Sequence, residues 1–280
     1  MPIYKPTELR QFLEELGVHP KKGLSQNFLI DGNILRKIAS AAHVAAGEVV
    51  LEIGPGPGSL TEELLNHQAK ILAVEKDPVF ARALERLKTT SNFLKIYCED
   101  VLEFPIEETL KPFLSCNEKA KVIANLPYHL TTPIIAQLVE KRHLFSSLIL
   151  MVQDEVARRF VAKPKTPEYS SFTVFLNFYT RPSYAFTVSR QCFYPSPKVD
   201  SAIVILELKN DVPAIDEVAF FMLTRTAFKQ RRKMLRGSLK DLYSPQIVET
   251  ALKDCGLNPQ ARPEDLSLED FLAFFERISY

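Results

Sequence analysis

The stretch LEIGPGPGSLT at 51–61 sets Gly54, Gly56 and Gly58 on alternate positions between an apolar run and an amphipathic one. A backbone without Cβ atoms turns tightly there and lets a ligand approach the chain itself. Glu75 closes the next apolar run, KILAVEKD, and Asp100 closes the one after, FLKIYCED. A carboxylate at the first of these ends can accept both hydroxyls of a ribose. One at the second can accept from an adenine amino group. Acids at strand ends are also common as solvated groups, and a glycine turn can be purely structural. Together, the three features favour a nucleoside-bearing cofactor along the carboxyl edge of a sheet.

A dinucleotide loop is the poorer reading. Its fingerprint wants Gly or Ala where this chain has Ser59, and Pro55 and Pro57 stiffen the turn. GxxxxGK[ST] is absent, which removes the P-loop NTPases. A second constellation is KVIANLPYHLTT at 121–132, where an apolar run ends on Asn125, Leu126, Pro127 and Tyr128. Pro127 supplies a turn, but a turn alone does not call for an asparagine and a tyrosine three residues apart. A grip on a flat, hydrogen-bonding substrate does. No His/Cys/Asp cluster has metal-ligand spacing, so no metal is expected.

These residues need a scaffold that brings several strand ends to one edge. VVLEIG (49–54), KILAVEKD (70–77), FLKIYCED (93–100), KVIAN (121–125) and SLILMVQ (147–153) read as strands. Most are nearly continuous apolar runs, as in parallel strands buried on both faces. Helices are predicted at about 59–67, 78–88, 131–141 and 154–162, with a further one capped by Asp31. That is the rhythm of βαβ units. SSFTVFLNFY fits helix or strand. Tyr184–Val188 and Ser201–Leu208 suggest an edge hairpin around the Pro-containing loop QCFYPSPKVD.

From about residue 209 the segments DEVAFFMLTRTAFKQRRKML, SPQIVETALKDCG and SLEDFLAFFERIS read as helical. KNDVP near 209–213 is the expected boundary, giving domains 1–208 and 209–280. The fold class predicted is α/β, Rossmann-like, a mostly parallel sheet with an antiparallel edge hairpin, plus a small all-helical C-terminal domain.

With 46% hydrophobic and 25% charged residues, the composition is that of an ordinary soluble protein. The apolar runs are too short to span a bilayer, and MPIYKPTELR lacks the design of a signal peptide. Four scattered cysteines without a CxxC pair fit a reducing cytosol. The net charge of +1 is uninformative, yet RTAFKQRRKMLRGSLK at 225–240 carries seven Lys/Arg and no acid. A solvated helix face is the ordinary reading of such a run; a phosphate-binding surface is the other.

The series LEIGPGPGSLT, AVEKD, CED and ANLPY resembles the motifs of class I S-adenosylmethionine-dependent methyltransferases. LSQNFLID (24–31), NLPYHLTTPI (125–134) and FYPSPKVDSAIV (193–204) are, more narrowly, similar to the rRNA adenine N6,N6-dimethyltransferase family. The resemblance covers about residues 21–240. It implies S-adenosylmethionine as cofactor, held by Asn27, Leu29, Gly54, Gly56, Glu75, Asp100 and Asn125. It implies N6,N6-dimethylation of two adjacent adenosines near the 3′ end of small-subunit (16S) rRNA in ribosome biogenesis.

The Asn125 side-chain oxygen and the Leu126 carbonyl would accept from the target amine, with Pro127 fixing the turn and Tyr128 stacking on the base. Phe193 is the first candidate for a second aromatic plate and Phe28 the weaker one. Two residues depart from the family pattern: Ser25 replaces the usual Gly before QNF, and His129 replaces the Asn common after NLPY.

Within an rRNA enzyme the basic run becomes a phosphate contact through Arg225, Lys229, Arg231, Arg232, Lys233 and Arg236. Lys21, Lys22, Arg158, Arg159, Lys163 and Lys165 would extend it. The partner implied is the small ribosomal subunit, and the chain is expected to act as a cytoplasmic monomer without a membrane. Two alternatives stand beside this: a large-subunit rRNA adenine methylase of the macrolide-resistance type, and a mainly non-catalytic ribosome-assembly factor.

Overall fold

The apolar runs form a seven-stranded sheet in which β2 (Val49–Ile53) and β5 (Ala120–Asn125) are central neighbours. The structure is a computed structural model that describes residues 3–20, 26–127 and 130–278. Its other strands are β3 (Lys70–Val74), β4 (Phe93–Tyr97), β6 (Phe145–Gln153), β7 (Thr180–Val188) and β9 (Ser201–Leu208). The order is β4-β3-β2-β5-β6-β9-β7. The ladders β4-β3-β2-β5-β6 are parallel, and β9 runs antiparallel to β6. A separate two-stranded ribbon joins β1 (Phe28–Leu29) to β8 (Phe193–Tyr194).

Every residue of β2 is buried, as a strand that is apolar but for Glu52 and covered by helices on both faces requires. Connections run outward from β2 to β3 and β4 on one side and to β5 and β6 on the other. The order therefore reverses between β2 and β5, and a crevice opens at their carboxyl ends. Around the sheet lie α1 (Pro6–Glu15), α2 (Gly32–Ala41), α3 (Ser59–Asn66), α4 (Pro78–Ala83), α5 (Ile106–Leu110), α6 (Thr131–Glu140) and α7 (Asp154–Phe160). Asp31 caps α2 as its position predicted, accepting from Asn33 N at 2.8 Å and Ile34 N at 3.2 Å.

The contacts divide the chain into two compact units. One comprises residues 1–157 and 183–208, the other 158–182 and 209–280. This corrects the expected single boundary at 208, because residues 158–182 group with the C-terminal helices. The physical reason is an aromatic core. SSFTVFLNFY is a helix, α8 (Ser171–Tyr179), started by the Ser170–Thr173 capping box. Its Phe175, Phe178 and Tyr179 pack tilted or edge-on against Phe220 and Phe221 of α9 (Glu217–Lys229). The remaining helices of this unit are α10 (Leu235–Ser238), α11 (Pro245–Asp254) and α12 (Leu268–Ile278). The single long helix expected over 216–235 stops instead at Lys229.

The loop QCFYPSPKVD is more than a connector. Its Phe193 and Tyr194 pair with Leu29 and Phe28, a contact between segments remote in sequence. Among the described residues, no helix is long and apolar enough to cross a membrane.

Candidate cofactor and substrate site

A cavity of about 200 Å³ lies in the first unit at the carboxyl ends of β2, β3 and β5. The glycine turn lines its floor. Gly58 sits at φ +91°, where a Cβ would meet Leu84 Cδ2 at 2.6 Å and Leu87 Cδ1 at 3.0 Å, so a side chain there is strained and must displace the buried Leu84. Gly56, at φ +56°, is capped by the Phe28 ring, 3.2 Å from where its Cβ would be. Gly54 faces the other strand end, 3.7 Å from a Cβ position to the Asn125 carbonyl.

Glu75 follows β3 and is buried. Its Oε2 accepts from Gly56 N and its Oε1 from Asp77 N, both at 2.8 Å. The carboxylate therefore ties the glycine turn to the end of β3, while each oxygen keeps a further lone pair for the cavity. Burial raises its pKa, and the backbone bonds from Asp77 and Gly56 oppose the rise. Asp100 behaves differently. Its Oδ2 accepts from Lys76 Nζ at 2.6 Å and its Oδ1 from Leu102 N at 3.0 Å. The Lys76 bond, with the Leu102 amide behind it, holds its pKa below the ordinary carboxylate value.

The cavity also contains an acid that the motif reading passed over. Glu52 of β2 is 1% exposed, and neither of its carboxylate oxygens has a hydrogen bond among the described residues. Burial pushes its pKa up to about 8. The neighbouring Thr61 hydroxyl relieves only part of this, and the Glu75 charge adds to it. A buried carboxylate without a partner is costly. Its signal in the sequence was an acid inside VVLEI, a run otherwise apolar on both faces of the sheet.

Asn125 ends β5 and lines the same cavity. Its Nδ2 donates to the Asn27 carbonyl at 3.3 Å, which leaves Oδ1 as the side chain's acceptor. Leu126 is buried, with its N–H donating to Met151 O at 3.3 Å. The Pro127 carbonyl accepts from Leu130 N at 3.0 Å and Thr131 Oγ1 at 3.3 Å, which ties it to the start of α6. Asn27, Leu29 and Phe193 lie on the cavity wall, Phe193 being 4% exposed and in register with Leu29. Phe28 packs edge-on to Phe80 at 5.2 Å. Tyr128, Ser25, His129, Lys21 and Lys22 lie outside the described residues.

In the second unit, the basic run separates into two groups. Arg225, Lys229, Arg232 and Lys233 are exposed. Arg231 is bound inward, to Glu264 and to the carbonyls of Thr166 and Pro167, and Arg236 pairs with Glu249. Those two guanidiniums join segments of their own unit. Among the described residues, no group of three or more His, Cys, Asp or Glu is placed to hold a metal ion.

The sheet order, the glycine turn at the switch point and the acids on successive strand ends define a class I methyltransferase, Rossmann-like with a helical C-terminal part. The chain belongs to the ribosomal RNA adenine dimethylase family, whose model matches residues 18–279. It is 63% identical over 278 residues to a "Ribosomal RNA small subunit methyltransferase A" of Protochlamydia amoebophila, covering 99% of this chain and 98% of the relative. It is 45% identical over 277 residues to the protein of that name from Chlamydia felis, covering 98% and 95%.

Among solved structures, a dimethyladenosine transferase of Plasmodium falciparum superposes with a TM-score of 0.74 at 27% identity, over 90% of this chain and 98% of that one. The 23S rRNA methyltransferase ErmE superposes with a TM-score of 0.69 at 26% identity, over 91% and 100%.

Proposed function

We propose that this chain uses S-adenosylmethionine to convert two adjacent adenosines near the 3′ end of small-subunit 16S rRNA into N6,N6-dimethyladenosines. It does so as a cytoplasmic monomer during ribosome biogenesis. The observation that carries the cofactor assignment is Glu52. A buried carboxylate without a partner, beside a second buried acid, suits a ligand that brings positive charge, and S-adenosylmethionine carries both a sulfonium and an ammonium. Glu52 would face that charge, Gly54 and Gly56 would pass under the ligand, Glu75 would take the ribose hydroxyls, and Asp100 the adenine amine. Asn27 and Leu29 would close the near wall. The cofactor, when bound, supplies a methyl group already electrophilic on sulfur.

What the chain itself must do is hold a poor nucleophile. The exocyclic amine of adenine has its lone pair delocalised into the ring. Asn125 Oδ1 and the Leu126 carbonyl accept its two N–H groups and favour a tetrahedral nitrogen. Pro127 would hold the turn, and the bonds its carbonyl accepts from Leu130 and Thr131 tie the segment of both acceptors to the start of α6. Tyr128 stacks on the base, a contact worth roughly 1–3 kcal/mol, with Phe193 as the opposite wall. Orientation of this kind supplies a large share of the rate in reactions between two bound partners. Arg225, Lys229, Arg232 and Lys233 contact RNA phosphates, and recognition rests on splayed bases and shape.

Two findings favour the small subunit over the large. The relatives at 63% and 45% identity bear a small-subunit name, whereas the resemblance to ErmE is at 26%. The experiment is incubation of the protein with methyl-labelled cofactor and unmethylated small and large subunits in competition. Label is expected in adenines of small-subunit rRNA; absence of label from those adenines overturns the proposal.

A further inference from the structure

The family model begins at residue 18, so α1 lies before the matched region. This helix is nevertheless built onto the cavity by two independent paths. Leu9 and Leu13, fully or nearly fully buried, cluster with Phe28 and Phe80. Phe28 in turn lies over Gly56 in the glycine turn. The second path runs through Arg86. Its Nη2 donates to the Pro57 carbonyl at 2.8 Å, and its guanidinium lies over the Phe12 ring of α1, 5.0 Å from the centroid. Burial disfavours the guanidinium's charge, and Glu62, in the first turn of α3, offsets part of that.

We propose that Arg86 is a positioning residue for the cofactor: held against the Phe12 ring, it holds the Pro57 carbonyl and so fixes the shape of the glycine turn. The turn needs such an anchor. Gly54, Gly56 and Gly58 all have positive φ, and glycines lose the most conformational freedom on ordering. One anchor is the Glu75 bond to Gly56 N, on the strand side. Arg86 grips the adjacent residue, and α1 holds Arg86. A lysine would supply the charge and a donor, but no planar group to lie under Phe12.

This inference rests on the reading that the cavity binds S-adenosylmethionine, so the test separates the two. Full-length wild type, R86A, R86K and F12A are titrated with S-adenosylhomocysteine in a calorimeter, and methyl transfer is followed over a range of cofactor concentrations. If wild type shows no binding, the cofactor reading falls. If it binds, R86A is expected to raise the Kd and the cofactor KM about tenfold, the scale of one lost charge-assisted hydrogen bond. F12A and R86K are expected to raise them about threefold. In all three, kcat at saturating cofactor should stay within twofold of wild type, since Arg86 does not line the cavity. R86A within twofold of wild type in Kd, or a fall in kcat equal to the rise in KM, overturns the proposal. Should R86A fail to fold, F12A and R86K decide, and Kd values equal to wild type in both overturn it.

Discussion

The Asn125 side-chain amide donates to the Asn27 carbonyl at 3.3 Å, across 98 residues of sequence. One contact thus joins the wall of the cofactor cavity to the strand end proposed to hold the target amine. It also leaves Oδ1 as the end of the amide that would face the base in that proposal.

Replacing Asn125 by Ala removes the proposed acceptor and loosens the Asn27 segment. Label transfer to 16S rRNA is expected to fall by about a hundredfold or more in kcat, the scale for losing one preorganised group at a reacting centre. Cofactor Kd should rise far less. A drop in cofactor affinity as large as the drop in kcat would count against the role in chemistry.

If Glu52 faces the cofactor's positive charge, as proposed, cofactor binding is expected to depend on pH. Its pKa of about 8 in the free protein means that it is mostly protonated at pH 6 and must lose a proton to face a cation. Affinity should rise about tenfold per pH unit from 6 towards 8 and level off above. E52Q should flatten that profile in calorimetric titrations.

The same group affects stability with a definite sign. Its folded pKa lies above the unfolded value of 4.5, so the fold tolerates Glu52 fully only at low pH. The stability is lost as pH climbs from about 4.5 through 8, where the buried charge costs on the order of a few kcal/mol. Without cofactor, E52Q should therefore melt higher than wild type at pH 8.5 and equal to it at pH 4.5 or below. Thermal denaturation at the two pH values checks this.

At Gly58, Ala forces a side chain against Leu84 and Leu87 at a positive φ. Destabilisation of about 2–4 kcal/mol is expected from overpacking and backbone strain together. A urea melt of G58A measures it.

Exposed and internally bound cations should part company in salt titrations. Replacing Arg232 and Lys233 by Ala should weaken binding to small-subunit rRNA and flatten the dependence of log K on log salt by about 0.7–0.9 per lost phosphate contact. R231A and R236A should instead lower the melting temperature of the protein, since each removes an ion pair inside its unit.

Much of the site was legible because its residues sit at strand ends, where local pattern and position coincide. Parallel strands buried on both faces write themselves as unbroken apolar runs, so Glu75, Asp100 and Asn125 stood out as the polar residues that close them. Glu52 escaped because it stands inside such a run, where an acid in a strand is ordinarily taken to point at water. The ribbon of Phe28 with Tyr194 could not be read locally, since two-residue strands carry no periodicity. The grouping of residues 158–182 with the C-terminal helices rests on aromatic packing between α8 and α9, which no spacing within either helix announces. Nor does charge alone tell Arg231, bound to Glu264 and two carbonyls, from its exposed neighbour Arg232.

Glu75 binds the backbone of Gly56 and of Asp77 as well as facing the cavity. If Glu75 also takes the ribose, as proposed, a lineage that lost that contact would lose the shape of the turn with it. Drift towards a different cofactor through Glu75 is closed off unless another group first takes over the two amides. The chemistry of the pocket and the architecture of its floor are thus inherited as a single character.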